Sequence, residues 1–304
     1  MRAIVFDPRA RWNFSFGEVV EPVAGAPDEL VMDVRAISLN SGEVATGDTA
    51  DTPGQVPGWD SAGLVLVPAA DGSGPPRGTR IAGAAWSQAW AERRVLTSGN
   101  VAVIPDSVDF ETAAALTVAG VTALQSVRRL GAVMGRRVLI TGASGGVGRL
   151  AVQLAARAGA EVVAAVGSAE RGAGLRELGA AEVVTRLQEL RPVHGVLEHV
   201  GGQVLADAFA LLADGGQLVS VGAASEQPTT IDFEAERMSL SHKQIETFMT
   251  AWPVGEDLTY VLELAGRGQL DAQVGLRSSW NDLDEAIDAL LGRRVAGKVA
   301  LTVA

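Results

Sequence analysis

The sequence predicts an α/β fold in two parts, a doubly wound parallel sheet flanked by helices and a second, mostly β domain. Three observations carry this. Short apolar runs broken by Gly, Pro and Asp fill the first ~105 residues. From residue 137 onward, strands that are apolar on both faces alternate with amphipathic helices, the pattern of a parallel sheet covered on both sides. A final apolar run, Lys298 to Val303, reads as a strand returning to the first part, so the parallel-sheet domain is inserted into the other.

In chain order, residues 1–7 give a first strand, and Leu30–Val34, Gly63–Val67 and Arg94–Leu96 give further ones. A helix is expected from about Asp109 to Leu130, with Asp109 and Glu111 acidic in its first turn. Arg137–Ile140 begins the parallel sheet, and Leu150, Leu154 and Ala158 mark one face of the helix after it. Strands follow at Glu161–Val166, Glu182–Val184, His194–Glu198, Gly216–Val221 and Gln244–Met249. The stretch 185–193 is too short for a full crossover helix. The domains are placed at 1–114 with 250–304, and at 115–249.

Composition narrows the chemistry. The chain has 304 residues, no cysteine and three histidines (His194, His199, His242), with no two histidines at metal-ligand spacing. Disulfides, thiolate metal sites and cysteine nucleophiles are excluded, and no zinc is expected. A formal net charge of −11 argues against nucleic acid and anionic membranes as partners. No charge-free run of 18 apolar residues occurs, and the N-terminal stretch is too short for a signal peptide, so a cytoplasmic location is expected.

The most specific local signal is Val138-Leu139-Ile140-Thr141-Gly142-Ala143-Ser144-Gly145-Gly146-Val147-Gly148, running from a strand into a helix. Glycines there allow a sharp turn and close approach of the backbone to a pyrophosphate, over the unpaired N–H groups of the helix start. Ser144, Gly145, Gly146, Val147 and Gly148 are therefore candidate dinucleotide contacts. The next strand runs into Gly167-Ser168-Ala169-Glu170-Arg171. Ser168 and Arg171, on an expected helix start, suit a ribose 2′-phosphate and so NADPH. Glu170 suits a 2′-hydroxyl instead.

Taken together, these residues resemble the medium-chain dehydrogenase/reductase superfamily, in its zinc-free quinone-oxidoreductase (zeta-crystallin-like) branch. The likeness spans nearly the whole chain: Ala36-Ile37-Ser38-Leu39-Asn40, Pro57-Gly58-Trp59-Asp60-Ser61-Ala62-Gly63, Ala113-Ala114-Ala115-Leu116, the glycine turn, Val200-Gly201-Gly202 and Gly297-Lys298-Val299-Ala300-Leu301. It implies a Rossmann doubly wound parallel sheet domain plus a mostly β GroES-like domain, with the active cleft between them. By position it implies a substrate- or nicotinamide-side role for Asn40, and cofactor contacts at Thr122, Val200, Gly222 and Ala223. It also implies a homodimer joined through the strand at Gln244–Met249. The family's usual Asp is here Glu43, and the lysine that enoyl reductases often carry after the Gly222 position is here Ala223.

Without zinc, hydride transfer needs an already activated acceptor, with the protein supplying orientation and hydrogen bonds. Asn40 is the candidate donor to a developing oxyanion. Glu43 is a candidate proton relay if burial raises its pKa, and His199 a candidate cofactor contact or proton donor at a strand end. Phe248, Met249 and Trp252 are candidates for the substrate wall, and Tyr260 reads as structural. Three functions stay open: NADPH-dependent reduction of a conjugated C=C bond, including natural-product tailoring in which reduction triggers cyclisation; quinone reduction; and non-catalytic NADPH binding in a structural or regulatory protein.

Overall fold

The computed structural model describes residues 1–46, 52–239 and 241–303, with the side chains of Ala45 and Thr46 left aside; the last residue of the expected outer domain, Ala304, lies outside the described residues. The chain divides into two compact units, residues 1–121 with 251–304, and residues 122–250.

The first unit opens with β1 (Arg2–Phe6) and β2 (Phe14–Glu18), a two-stranded antiparallel pair. Then come β3 (Glu29–Leu39), α1 (Ser41–Thr46), β4 (Asp60–Val67), β5 (Arg80–Ala84), β6 (Arg93–Thr97) and β7 (Val101–Val103). Helix α2 (Phe110–Arg129) begins where Asp109 accepts the N–H of Thr112 at 2.6 Å, satisfying one of the orphan donors of the first turn. It is long and apolar enough to cross a membrane, but 72% of its apolar window is buried within the protein, which makes it a core helix.

The second unit is a six-stranded, all-parallel sheet. It contains β8 (Arg137–Ile140), α3 (Gly146–Arg157), β9 (Glu161–Ala165), β10 (Ala180–Val184), β11 (Val193–Glu198), α4 (Gly202–Ala210), β12 (Leu212–Ser220), α5 (Phe233–Met238) and β13 (Gln244–Thr247). The strand order β10-β9-β8-β11-β12-β13 reverses direction between β8 and β11. That is the switch point where open parallel sheets bind ligands. Leu139, Val163, Val196 and Leu218 are fully buried on four neighbouring strands, which accounts for runs without polar alternation.

The chain then returns through α6 (Gly255–Gly266), β14 (Val274–Ser279), α7 (Leu283–Leu291) and β15 (Lys298–Thr302). β15 pairs antiparallel with β3, Val299 opposite Leu39, closing the sheet β14-β15-β3-β4-β5-β7 with β6 also on β3. Its core gathers Ile4, Leu30, Met32, Ile37, Ile81, Trp90, Trp280 and Leu301.

One expectation is corrected. The segment after β9 is not a helix start: Glu170–Gly172 is a single 3-10 turn, and turns continue to β10. Gly174 and Gly179, at φ +77° and +107°, break helical geometry. Between β10 and β11 the crossover helix is likewise missing, as the short spacing indicated.

Candidate functional site

Two groups of residues carry chemistry, one in each unit. In the parallel-sheet unit the glycine turn leaves β8 through Thr141, whose N–H bonds the Leu197 carbonyl at 3.0 Å. Gly142 has φ +57°, and a Cβ there would meet His199 Cβ at 3.2 Å. A Cβ on Gly148 would lie 2.4 Å from the Gly142 carbonyl oxygen, so the first turn of α3 packs on the loop as only glycine allows. Gly145, the N-cap, supplies no capping side chain, so N–H groups at the helix start stay available to an anion.

The mouth of the switch point is tied together by Glu198, which is fully buried. Its carboxylate accepts from Thr141 Oγ1, Val200 N and Gly201 N, each at 2.9 Å. Burial pushes its pKa up, and those donors hold it down. His199 is anchored at the same place: its N–H reaches Thr141 Oγ1 and its Nδ1 faces the Thr141 carbonyl, both at 2.9 Å. A carbonyl only accepts, so the ring proton sits on Nδ1. Burial lowers the pKa of the ring to about 4, against the pull of the Thr141 and Leu197 carbonyls. At neutral pH His199 is thus neutral, and its Nε2 is a bare acceptor, closed to solvent and without a partner. The proton-donor role expected for His199 does not fit this geometry; an acceptor role does.

The other expected cofactor residues lie around this mouth or apart from it. Ser144 is buried in the turn, and Val200 and Gly222 flank His199, a Cβ on Gly222 falling 3.2 Å from the His199 carbonyl. Ala223 follows, its carbonyl taking the N–H of Glu226. Thr122 is set apart, its hydroxyl 3.0 Å from that of Thr250. At the end of β9, Ser168 donates to the Glu170 carboxylate, holding its pKa below the usual range; Arg171, in the same turn, is half-buried. The turn, the unpartnered Nε2 and the uncapped helix start fit a dinucleotide pyrophosphate and its flanking riboses.

In the first unit Asn40, after β3, is joined to Glu43 on α1. Asn40 N and Nδ2 donate to Glu43 Oε2 at 2.7 and 3.0 Å, and Nδ2 also donates to Asp60 Oδ2 at 2.8 Å. Lys298 Nζ donates to Asn40 Oδ1 at 2.6 Å and to the Leu39 carbonyl at 3.0 Å, and pairs with Asp60 at 3.5 Å. Asp60 further accepts from Thr117 Oγ1 and Val118 N. Glu43 is fully buried, and its other oxygen accepts from Trp59 N. Its pKa is pushed up to about 8 by burial and then by Asp60, against Lys298 and the N–H groups of Trp59 and Asn40. Both amide protons of Asn40 are therefore taken by carboxyl oxygens of Glu43 and Asp60, an arrangement that does not suit the expected donor role toward a substrate oxyanion.

Arg94, fully buried, donates to the Trp59 carbonyl and Ser61 Oγ, both at 2.9 Å, and to the Ser87 carbonyl at 2.7 Å. Burial lowers its pKa to about 10, opposed by Asp60 and Glu43, so it is charged at neutral pH. Trp59, Trp86 and Trp252 gather beside it, Trp86 lying 5.5 Å from Trp59 and 5.3 Å from Trp252 between ring centroids. Sequence reasoning assigned no role to Asp60, Lys298, Arg94, Thr141 or Glu198. One signal was available: Lys298 is one of only two lysines, and it opens an apolar strand.

Among the described residues no group of three or more His, Cys, Asp and Glu could hold a metal ion. Comparison with known proteins places these features. The zinc-binding dehydrogenase family model matches residues 146–267. A probable mitochondrial zinc-binding oxidoreductase of Arthroderma benhamiae is 28% identical over 298 residues, covering 90% of this chain and 88% of that protein. The squalestatin tetraketide synthase clz2 of Cochliobolus lunatus is 31% identical over 229 residues, 69% of this chain but 9% of the synthase, so the chain spans about a tenth of that relative. The solved quinone oxidoreductase of Coxiella burnetii superposes with a TM-score of 0.87 at 25% identity, covering 100% of this chain and 99% of that one.

Proposed function

The chain belongs to the medium-chain dehydrogenase/reductase superfamily, in its quinone-oxidoreductase-like branch, and from that membership we propose that it is a zinc-independent, NADPH-dependent reductase of activated C=C bonds. The observation that carries the reading is the crevice at the ends of β8 and β11, built for a dinucleotide, in a chain with no cysteine and no metal-holding cluster among its described residues. When bound there, the reduced nicotinamide supplies a hydride. Gly142 to Gly148 hold the pyrophosphate, and Glu198 and Thr141 fix the mouth. Among the described residues no cluster could hold a metal ion to polarise a simple carbonyl, so in this reading the substrate brings its own activation by conjugation, as an enone, an enoyl group or a quinone does.

The experiment is a panel of enones, enoyl thioesters and quinones, followed by loss of reduced-cofactor absorbance with and without chelator. Turnover of a conjugated substrate that is indifferent to chelation is expected. Turnover of simple aldehydes or alcohols alone, or activity restored only by zinc, overturns the reading.

NADPH is chosen on Arg171. A charge-assisted hydrogen bond to a 2′-phosphate contributes roughly 1.5–3 kcal/mol, toward the lower end at a half-exposed site. Arg171→Ala should therefore weaken NADPH about tenfold and NADH far less. The hydrogen bond from Ser168 to Glu170 favours the second reading, NADH, because it sets a carboxylate where a ribose hydroxyl would bind. Calorimetric titration of both cofactors against both proteins decides: equal losses, or tighter NADH binding in the wild type, select NADH.

We also propose a homodimer joined along β13, an outermost strand of its sheet, where Ile245 is 41% exposed and Met249, two residues beyond the strand, 71%. Light scattering at micromolar concentration should give twice the chain mass; a monomer mass refutes it.

A further inference from the structure

We propose that Trp59, Trp86 and Trp252 form a binding corner for the substrate, and that it takes flat, ring-bearing conjugated carbonyl compounds in preference to linear acyl chains. This rests on the reductase reading above and names the substrate class within it. Three of the chain's six tryptophans meet here, all in the first unit. Trp86, the middle ring, stands at 85° to Trp59 and 48° to Trp252, so neither neighbour lies parallel over it. It is also 47% exposed, which leaves indole surface on which a planar ligand can stack. Unpartnered indole N–H groups do not mark the corner, since Trp12, Trp90 and Trp280 share that feature with Trp59 and Trp252.

What marks it is the way its backbone is held. Glu43 accepts the N–H of Trp59, and Arg94 takes its carbonyl. The same guanidinium takes the carbonyl of Ser87, next to Trp86, and Ala85 N reaches the Trp59 carbonyl at 3.2 Å. Two fully buried ionisable side chains, one of them the charged Arg94, thus fix the turns that present two of the three indoles. Burying a guanidinium is costly, and simple closure of two turns does not require one. A surface that recognises shape by stacking does require fixed ring planes. Trp59 also directly precedes Asp60, so the corner adjoins the Asn40–Asp60–Lys298 network. A linear enoyl chain has no ring face to lay on the open indole, whereas an aryl enone or naphthoquinone has one.

Stacking of a flat ring on an aromatic side chain contributes about 1–3 kcal/mol. Trp86→Ala should lower the ratio of kcat/KM for 4-phenyl-3-buten-2-one and 1,4-naphthoquinone over crotonyl N-acetylcysteamine thioester by about tenfold, at ~1.4 kcal/mol per decade. Trp86→Phe, which keeps a ring, should restore most of that ratio. Calorimetry without cofactor should show the phenyl enone binding the wild type and Trp86→Phe more tightly than Trp86→Ala. An unchanged ratio together with equal binding in all three proteins shows that the tryptophans only pack together, and overturns the proposal. If the wild type reduces no member of the panel, the reductase reading falls. Calorimetry then judges the corner alone: ring binding that depends on Trp86 upholds it, and ring binding indifferent to Trp86 overturns it.

Discussion

Lys298→Met is expected to lower the free energy of unfolding by about 3–5 kcal/mol, the usual result of removing one partner from a buried ion pair. Lys298 is 3% exposed, and Asp60 and Glu43 are fully buried. Methionine keeps the length of the stem but leaves the two carboxyl groups without the ammonium beside them, and leaves Asn40 Oδ1 and the Leu39 carbonyl without their donor. For a unit of this size each kcal/mol is worth roughly 2–4 °C, so its thermal transition should fall on the order of 10 °C.

The deficit should also depend on pH, with a definite sign. The pKa of Glu43 is raised in the folded protein, so the group contributes stability that is fully present below its ordinary value and is lost as pH rises toward about 8. Lys298 opposes that rise, and removing it lifts the folded pKa further. The difference between variant and wild type should therefore be smaller at pH 5 than at pH 8. Thermal unfolding followed by circular dichroism at both values checks this. A loss under 1 kcal/mol, or a deficit that shrinks as pH rises, would show that the network is not held by its lysine.

The fate of Lys298 illustrates what the sequence exposes and what it hides. The parallel sheet was legible because Val138–Ile140, Val162–Ala165 and Val196–Leu197 are buried on both faces and so carry no polar alternation. The glycine turn was legible because its steric demand falls within a few consecutive residues. The return of β15 to β3 could be anticipated from one apolar run at the far end of the chain. The network around Asn40 was not legible in the same way. Its members come from β3, α1, the start of β4, β6, α2 and β15, and Asn40 and Lys298 stand 258 positions apart. No periodicity links such residues; only the folded sheet brings them together. The same holds for Trp59, Trp86 and Trp252. Asn40 and Glu43 were found by their likeness to a family, but their bonding is set by the folded surroundings: carboxyl oxygens of Glu43 and Asp60 take the amide protons of Asn40, and burial raises the pKa of Glu43. The connection after β9 failed differently, since its helical-looking residues were overridden by positive-φ glycines.

Gly148→Ala is expected to weaken dinucleotide binding about a hundredfold while leaving a folded chain. The added methyl would sit 2.4 Å from the Gly142 carbonyl oxygen and 2.8 Å from Ala143 Cα. Both are backbone atoms, so relief requires the glycine loop to move off the start of α3. Overpacking of this kind costs about 1–3 kcal/mol in stability. The effect on binding is larger, because the loop and the first N–H groups of α3 must address one pyrophosphate together. Losing two charge-assisted hydrogen bonds at roughly 1.5 kcal/mol each already amounts to about a hundredfold. Gly167→Ala is the control for stability: at the end of β9 a Cβ meets nothing within 4 Å, so its thermal transition should stay close to wild type. Calorimetric titration of reduced dinucleotide into wild type and Gly148→Ala, beside thermal unfolding of all three proteins, separates the effects. A Gly148→Ala protein that binds dinucleotide within threefold of wild type would remove the glycine turn from the cofactor site and take the proposed reaction with it.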